Sequence, residues 1–252
     1  MLFRSTHSGE LLGLRPRLIL LDLDGTLIDS VPDLAGALGR AFRDHGLVPH
    51  ELPAVRAMVG EGQRVLVQRA LQAAGADLGR LDEVLGRFRH HYSDRLHELT
   101  VCYPGVLETL RQLPAELPKA VATNKPGAWA RRLTAHFGLD ASLRWVLGED
   151  DVGARKPDPK LLLHLCALAG VAPAEALMVG DSRIDLDAAQ AAGIPVALCT
   201  YGYGDAETLQ AARRAARQAA GSTAAPRGSR GRPFLLESFA ELLVPLAPES
   251  KT

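Results

Sequence analysis

Apolar positions along this chain follow two different spacings, and the change between them divides it into parts. Leu18-Ile19-Leu20-Leu21, entered from Arg17, is an unbroken apolar run of strand length. It predicts a strand covered on both faces, and Gly25 shortly afterwards lets the backbone swing away. The spacing then turns helical for about seventy residues. Leu34, Leu38, Ala41 and Phe42 form one stripe that Gly46 ends. Val65, Leu66, Ala70, Leu71 and Ala74 form a second, closed by Gly75, and Val84, Leu85, Phe88, Tyr92 and Leu96 mark a third helix over 81–99. No strand pattern interrupts them. Residues 33–100 are therefore expected to be a small helical cap, bounded by Pro32 and by Tyr103-Pro104-Gly105.

Beyond Pro104 the two spacings alternate. Helices are predicted over 106–113, 127–137, 159–169 and 185–192, and strands over 119–123, 143–147, 176–180 and 195–199. Strands separated by helices specify βαβ units and a parallel sheet with both faces covered. The fold class is thus α/β, a doubly wound parallel sheet with a helical cap inserted after the first strand. Its core takes in residues 17–32 and 101–247, after a loose leader at 1–16. Phe239, Leu242, Leu243 and Leu246, following Phe234-Leu235-Leu236, predict a last helix that docks on the sheet.

Composition changes this picture in only a few places. The 252 residues are 47% hydrophobic and 23% charged, with no formal net charge, as expected of a globular protein without a bias toward polyanions. The zero conceals an asymmetry, because Thr208–Leu236 holds six arginines and no acid. Within it, residues 210–232 are rich in Ala, Arg and Gly and are expected to be a flexible surface insertion rather than a nucleic-acid arm. Cys102, Cys166 and Cys199 are far apart and odd in number, so a disulfide framework is not expected and a reducing cytoplasm is. No apolar stretch is long enough for a membrane span, and the chain is read as a monomer or homodimer.

The candidate chemistry lies at predicted strand ends. Asp22 and Asp24, two apart on a strand, point the same way, and two like charges that close need a cation, a shared proton or separate tasks. Thr123, Asn124 and Lys125 follow a second strand, Lys156 stands in a Lys-Pro-Asp-Pro loop, and Asp181 and Asp185 follow a third strand. In a doubly wound sheet such groups meet where the strand order reverses. A phosphate ester needs a nucleophile, an acid for the leaving oxygen and positive charge for the phosphoryl oxygens. Asp22 suits the first role and Asp24 the second, while the Thr123 hydroxyl and Lys156 suit the third.

In this order the four motifs resemble those of the haloacid dehalogenase-like superfamily: Asp22–Thr26, Thr123-Asn124, Lys156 and Gly180–Asp185. The resemblance covers roughly residues 17–205 and 233–247. Within the superfamily, the helical insert, the Lys-Pro-Asp-Pro loop and Gly202-Tyr203-Gly204 are most similar to phosphoglycolate phosphatases. It implies a phosphatase for a small phosphorylated metabolite, 2-phosphoglycolate first, acting through an aspartyl-phosphate. Other sugar phosphates, pyrophosphate, a phosphomutase activity and a non-catalytic phospho-ligand module are the alternatives. Asp24 argues against the dehalogenase branch, which does not need the second acid. The implied cofactor is Mg2+ on the Asp22 and Asp181 carboxylates and the Asp24 carbonyl, with Asp185 supporting its water shell. Asn124 and the glycines Gly60 and Gly62 of a closing cap loop are implied to bind substrate. Arg64 is the candidate contact for a substrate carboxylate. Ile184 departs from the pattern, where a polar residue is common, and is expected to face the sheet. His90, His91 and His97 do not share one stripe, so a metal site there is not expected.

Overall fold

The structure, a computed structural model, describes residues 14–218 and 233–243. Most of the expected leader, residues 219–232 and Leu246 lie outside the described residues. Among the described residues, eight strands and ten α-helices follow in chain order. They are β1 (Leu18–Leu21), β2 (Ile28–Asp29), α1 (Val31–Asp44), α2 (Leu52–Arg56), α3 (Gln63–Ala73), α4 (Leu81–Asp94), β3 (Val101–Cys102), α5 (Val106–Gln112) and β4 (Lys119–Ala122). Then come α6 (Gly127–His136), β5 (Trp145–Leu147), α7 (Glu149–Val152), α8 (Lys160–Ala169), β6 (Ala176–Gly180), α9 (Arg183–Ala192), β7 (Val196–Cys199), α10 (Ala206–Gln218) and β8 (Phe234–Leu236).

Six strands form one parallel sheet in the order β5-β4-β1-β6-β7-β8. β1 lies between β4 and β6, so the order reverses at its carboxyl end and opens a crevice there. Every residue of β1 is buried, and its alternate side chains serve two cores. Leu18 and Leu20 join Met178, Leu161, Leu165 and Ala188 on one face. Ile19 and Leu21 join Val121 and Val179 on the other, in a core that runs on through Phe42, Val67, Phe88 and Tyr92 of the helical insert. The ribbon β2–β3 is the stem of that insert, with Ile28 opposite Cys102 and Asp29 opposite Val101. Asp33, buried in the first turn of α1, clasps the returning chain by accepting from the Leu99 N–H (3.0 Å), the Thr100 N–H (2.8 Å) and the Thr100 hydroxyl (2.7 Å).

Two expectations are corrected. Phe234–Leu236 does not start a helix: it is a sixth strand, paired in parallel with β7, and only Phe239–Leu243 turns, as a 3-10 segment. Three apolar residues carry no period of their own, so the open edge of β7 decides their form. The first part of the supposed flexible insertion, residues 210–218, belongs to α10. Alanine, arginine and glutamine favour helix, and Asp205 caps its start by accepting from the Thr208 N–H and hydroxyl, both at 2.7 Å.

Candidate active site

The carboxyl ends of β1, β4 and β6 converge on one cluster of charges. β1 delivers Asp22, and the turn after it delivers Asp24. The two carboxylates line the same cavity yet have different partners. Asp22 accepts from the Lys156 ammonium at 2.8 Å. Asp24 accepts from Lys125 at 2.8 and 2.9 Å and from the Ser30 hydroxyl at 2.5 Å. Lys156 is 2% exposed and also donates to Asp185 at 2.6 Å. Burial works against its charge, but Asp185 and Asp22 hold it above the ordinary lysine value.

β6 supplies the remaining acids. Asp181 accepts from the Thr26 hydroxyl (3.1 Å) and the Tyr203 N–H (2.6 Å). Gly25, at φ +88°, and Gly202 close over it, and a Cβ on either would overlap its carboxylate. Asp185 accepts from Lys156, the Ser182 hydroxyl (2.7 Å) and two backbone N–H groups, so it closes the first turn of α9 as well as facing the site. Carboxylate oxygens of Asp22, Asp181 and Asp185 lie within 4.8 Å of one another. Burial raises the Asp22 carboxyl to about 7, against the pull of Lys156 and with help from Asp185. Burial, then the charges of Asp185 and Asp22, also raise Asp181 well above the usual carboxylate range. A buried, oxygen-only set with more negative charge than its shared ammonium offsets fits a hard cation.

Asn124 reaches the site as a strut. Its amide nitrogen donates to the Gly60 carbonyl (3.0 Å) and the Lys156 carbonyl (2.9 Å), and its oxygen accepts from the Lys156 N–H (2.7 Å). Both of its N–H donors are therefore spent on holding the Lys156 loop and the Gly60 loop together. Thr123 lines the cavity, with its hydroxyl accepting from the Lys125 N–H at 3.2 Å. Gly60 and Gly62 line it too. Arg64 does not: it points outward to Asp82 at 2.5 Å, because the first turn of α3 turns Gln63 rather than its neighbour inward. Ile184, expected to face the sheet, meets the Gly60 loop: a Cβ on Gly60 would sit 3.4 Å from its Cδ1, an apolar contact between α9 and that loop.

Sequence reasoning gave no site role to four side chains, Ser30, Tyr203, Lys125 and Tyr92. Ser30 braces Asp24, and its N–H donates to the Tyr203 hydroxyl (2.7 Å), which donates to Asp29 (2.9 Å). Tyr203 thus ties the stem of the insert to the backbone that holds Asp181. In the sequence Lys125 merely follows Thr123 and Asn124, and Tyr92 is one position of the third helical stripe. The Tyr92 ring stacks edge-on against Trp129 at 5.0 Å, and its hydroxyl is buried with no acceptor for its hydrogen among the described residues. The cavity encloses about 50 Å3. Its far wall is Leu34, Val59, Leu66, Phe88, Tyr92 and Trp129.

A switch-point crevice holding two separately paired aspartates, an acid cluster and a buried lysine defines a phosphate-ester hydrolase on a doubly wound sheet. Comparison with known proteins agrees. Residues 19–199 match the family model of haloacid dehalogenase-like hydrolases. Phosphoglycolate phosphatase of Pseudomonas putida KT2440 is 45% identical over 205 residues, 79% of this chain and 75% of that protein. Phosphoglycolate phosphatase 1 of Pseudomonas aeruginosa PAO1 is 42% identical over 193 residues, 75% of this chain and 71% of that one. Among solved structures, a predicted phosphoglycolate phosphatase from Haemophilus somnus 129PT superposes with a TM-score of 0.76 at 32% identity, over 90% of this chain and 96% of that one. The chain belongs to the haloacid dehalogenase-like hydrolases, and it is a phosphoric monoester hydrolase.

Proposed function

We propose that this phosphatase hydrolyses 2-phosphoglycolate to glycolate and phosphate, with Mg2+ as cofactor and Asp22 as nucleophile. The observation that carries the reading is the separate pairing of two carboxylates beside one small cavity: Asp22 with Lys156, Asp24 with Lys125 and Ser30. Two acids in unlike surroundings suit two unlike roles. An Asp22 oxygen attacks phosphorus and forms an aspartyl-phosphate, while Asp24 gives its proton to the leaving glycolate oxygen. Asp24 then takes a proton from water, whose oxygen attacks phosphorus and breaks the Asp22–phosphorus linkage. Phosphate leaves with both acids restored. The Thr123 hydroxyl and Lys156 offset charge on the phosphoryl oxygens. Asp22, Asp181 and the Asp24 carbonyl are the residues that would hold Mg2+, which supplies further positive charge to those oxygens.

Support for the substrate comes from the relatives named phosphoglycolate phosphatase, 45% and 42% identical to this chain. A cytoplasmic setting is proposed from the three free thiols, and no helix among the described residues is long and apolar enough to cross a membrane. The test is phosphate release from 2-phosphoglycolate with Mg2+ or with EDTA, in wild type and in Asp22→Asn. Turnover is expected only in wild type with Mg2+. Undiminished turnover in Asp22→Asn would overturn the assignment.

A further inference from the structure

Lys125, Tyr92 and Gln63 are polar residues of the cavity that phosphoryl transfer leaves without a role, and of these Gln63 already accepts from the Arg89 guanidinium at 3.0 Å. Lys125 is 6% exposed, and its Nζ reaches both Asp24 oxygens while lying 5.0 Å from the centre of the Tyr92 ring. An ammonium has three N–H donors, and Asp24 takes two of them. Tyr92 lines the same cavity, and its hydroxyl is buried beside the Lys125 ammonium with no acceptor for its hydrogen among the described residues. Burial also pushes it up to about 12, so it keeps its proton at neutral pH and remains a donor.

Among the described residues that line the cavity, Lys125 is the one cationic side chain. Lys156 is held by Asp22 and Asp185. Arginines of the helical insert are engaged elsewhere: Arg56 with Asp29, Arg64 with Asp82, Arg69 with Glu61 and Arg89 with the Gln63 side chain, and none of them lines the cavity. There the insert contributes Gly60, Gly62, Gln63 and an apolar wall. A carboxylate entering such a space is costly to desolvate unless it finds charged or hydrogen-bonding partners there. A buried hydroxyl whose hydrogen has no acceptor carries a cost that an arriving acceptor removes.

The geometry points to Lys125 and Tyr92, which lie side by side in the cavity, as the subsite that recognises the substrate's carboxylate, the ammonium supplying charge and the hydroxyl hydrogen a donor. This deepens the 2-phosphoglycolate reading and rests on it. It also explains how a site with no inward-facing arginine selects an acid. Lys125 holds Asp24 and the substrate tail from one atom, so the leaving oxygen is brought beside its proton donor.

The experiment compares 2-phosphoglycolate with 2-hydroxyethyl phosphate, which has the same length but no carboxylate, in wild type, Lys125→Gln and Tyr92→Phe. Tyr92→Phe keeps the ring packing and removes only the hydroxyl. Lys125→Gln also loosens Asp24, so it lowers turnover of both esters. The deciding quantity is the ratio of the two kcat/KM values. Wild type is expected to favour the acid, and each variant is expected to lower that preference, by about tenfold or more for Lys125→Gln, chiefly through KM for 2-phosphoglycolate. An unchanged preference in Tyr92→Phe overturns the subsite even if Lys125→Gln does not fold. Equal wild-type turnover of both esters also overturns it and leaves the phosphatase chemistry standing. Failure of wild type on either ester, with activity on other monoesters, would instead overturn the substrate reading and the subsite with it.

Discussion

Thermal unfolding with and without Mg2+ at two pH values tests the charge balance of the site without reference to turnover. Burial outweighs the pull of Lys156 and raises the Asp22 carboxyl from 3.8 to about 7. Asp181 moves the same way, through burial and then the Asp185 and Asp22 charges. An acid whose value is higher in the folded state stabilises the fold fully below its unfolded value and loses that stabilisation as pH rises through the folded one. Metal-free protein is therefore expected to lose stability between roughly pH 4 and pH 7. The cation needs ionised carboxylates, so protons compete with it. At pH 5, two decades below the folded Asp22 value, that residue alone weakens Mg2+ binding about a hundredfold.

These numbers set the size of the effect. Mg2+ at about a hundred times its dissociation constant at pH 8 stabilises the fold by about 2.7 kcal/mol. For a chain of this length about 1 kcal/mol moves Tm by roughly 2–4 °C, so Tm should rise by about 5–11 °C. At pH 5 the same concentration is near the weakened constant and contributes about 0.4 kcal/mol, a shift of about 1 °C. Differential scanning calorimetry in EDTA and in Mg2+ reads both. Equal shifts at the two pH values, or an undiminished shift in Asp181→Asn, would refute the reasoning.

Asn124→Ala removes three hydrogen bonds between the Gly60 and Lys156 loops. It should cost about 2–3 kcal/mol, seen as a lower denaturation midpoint, and more than about tenfold in kcat/KM because the cavity loses its closure. Asp33→Ala breaks the clasp on Leu99 and Thr100. A loss of about 2–4 kcal/mol in urea unfolding is expected, with protease sensitivity rising around residues 95–101. Arg64→Ala should change kcat/KM for 2-phosphoglycolate by less than about twofold, since its partner is the exposed Asp82 and such pairs contribute little. A tenfold rise in KM would return Arg64 to the substrate.

The parts of the fold that were legible beforehand share a local cause. The β1 run, the helical stripes through Phe42 and Phe88 and the alternation after Pro104 are all visible within windows of four to twelve residues, because burial imposes its period on neighbouring positions. β8 and α10 were not. A three-residue strand is created by the open edge of β7, and α10 hides inside a compositionally biased run whose helix propensity outweighs its flexible look.

The same distinction holds at the site. Order and spacing alone determined which strand ends carry acids, hydroxyls and lysines, since side-chain direction on a strand is fixed by position. Only the tertiary structure decided which charge meets which. Lys156 goes to Asp22 and Asp185, and Lys125 goes to Asp24. Asn124 became a strut, Arg64 turned outward, and Ser30 and Tyr203 joined the site. The partners in those pairs lie between six and more than a hundred residues apart in the chain. Distance and desolvation between such groups are set by how the layers pack, and no local pattern encodes them.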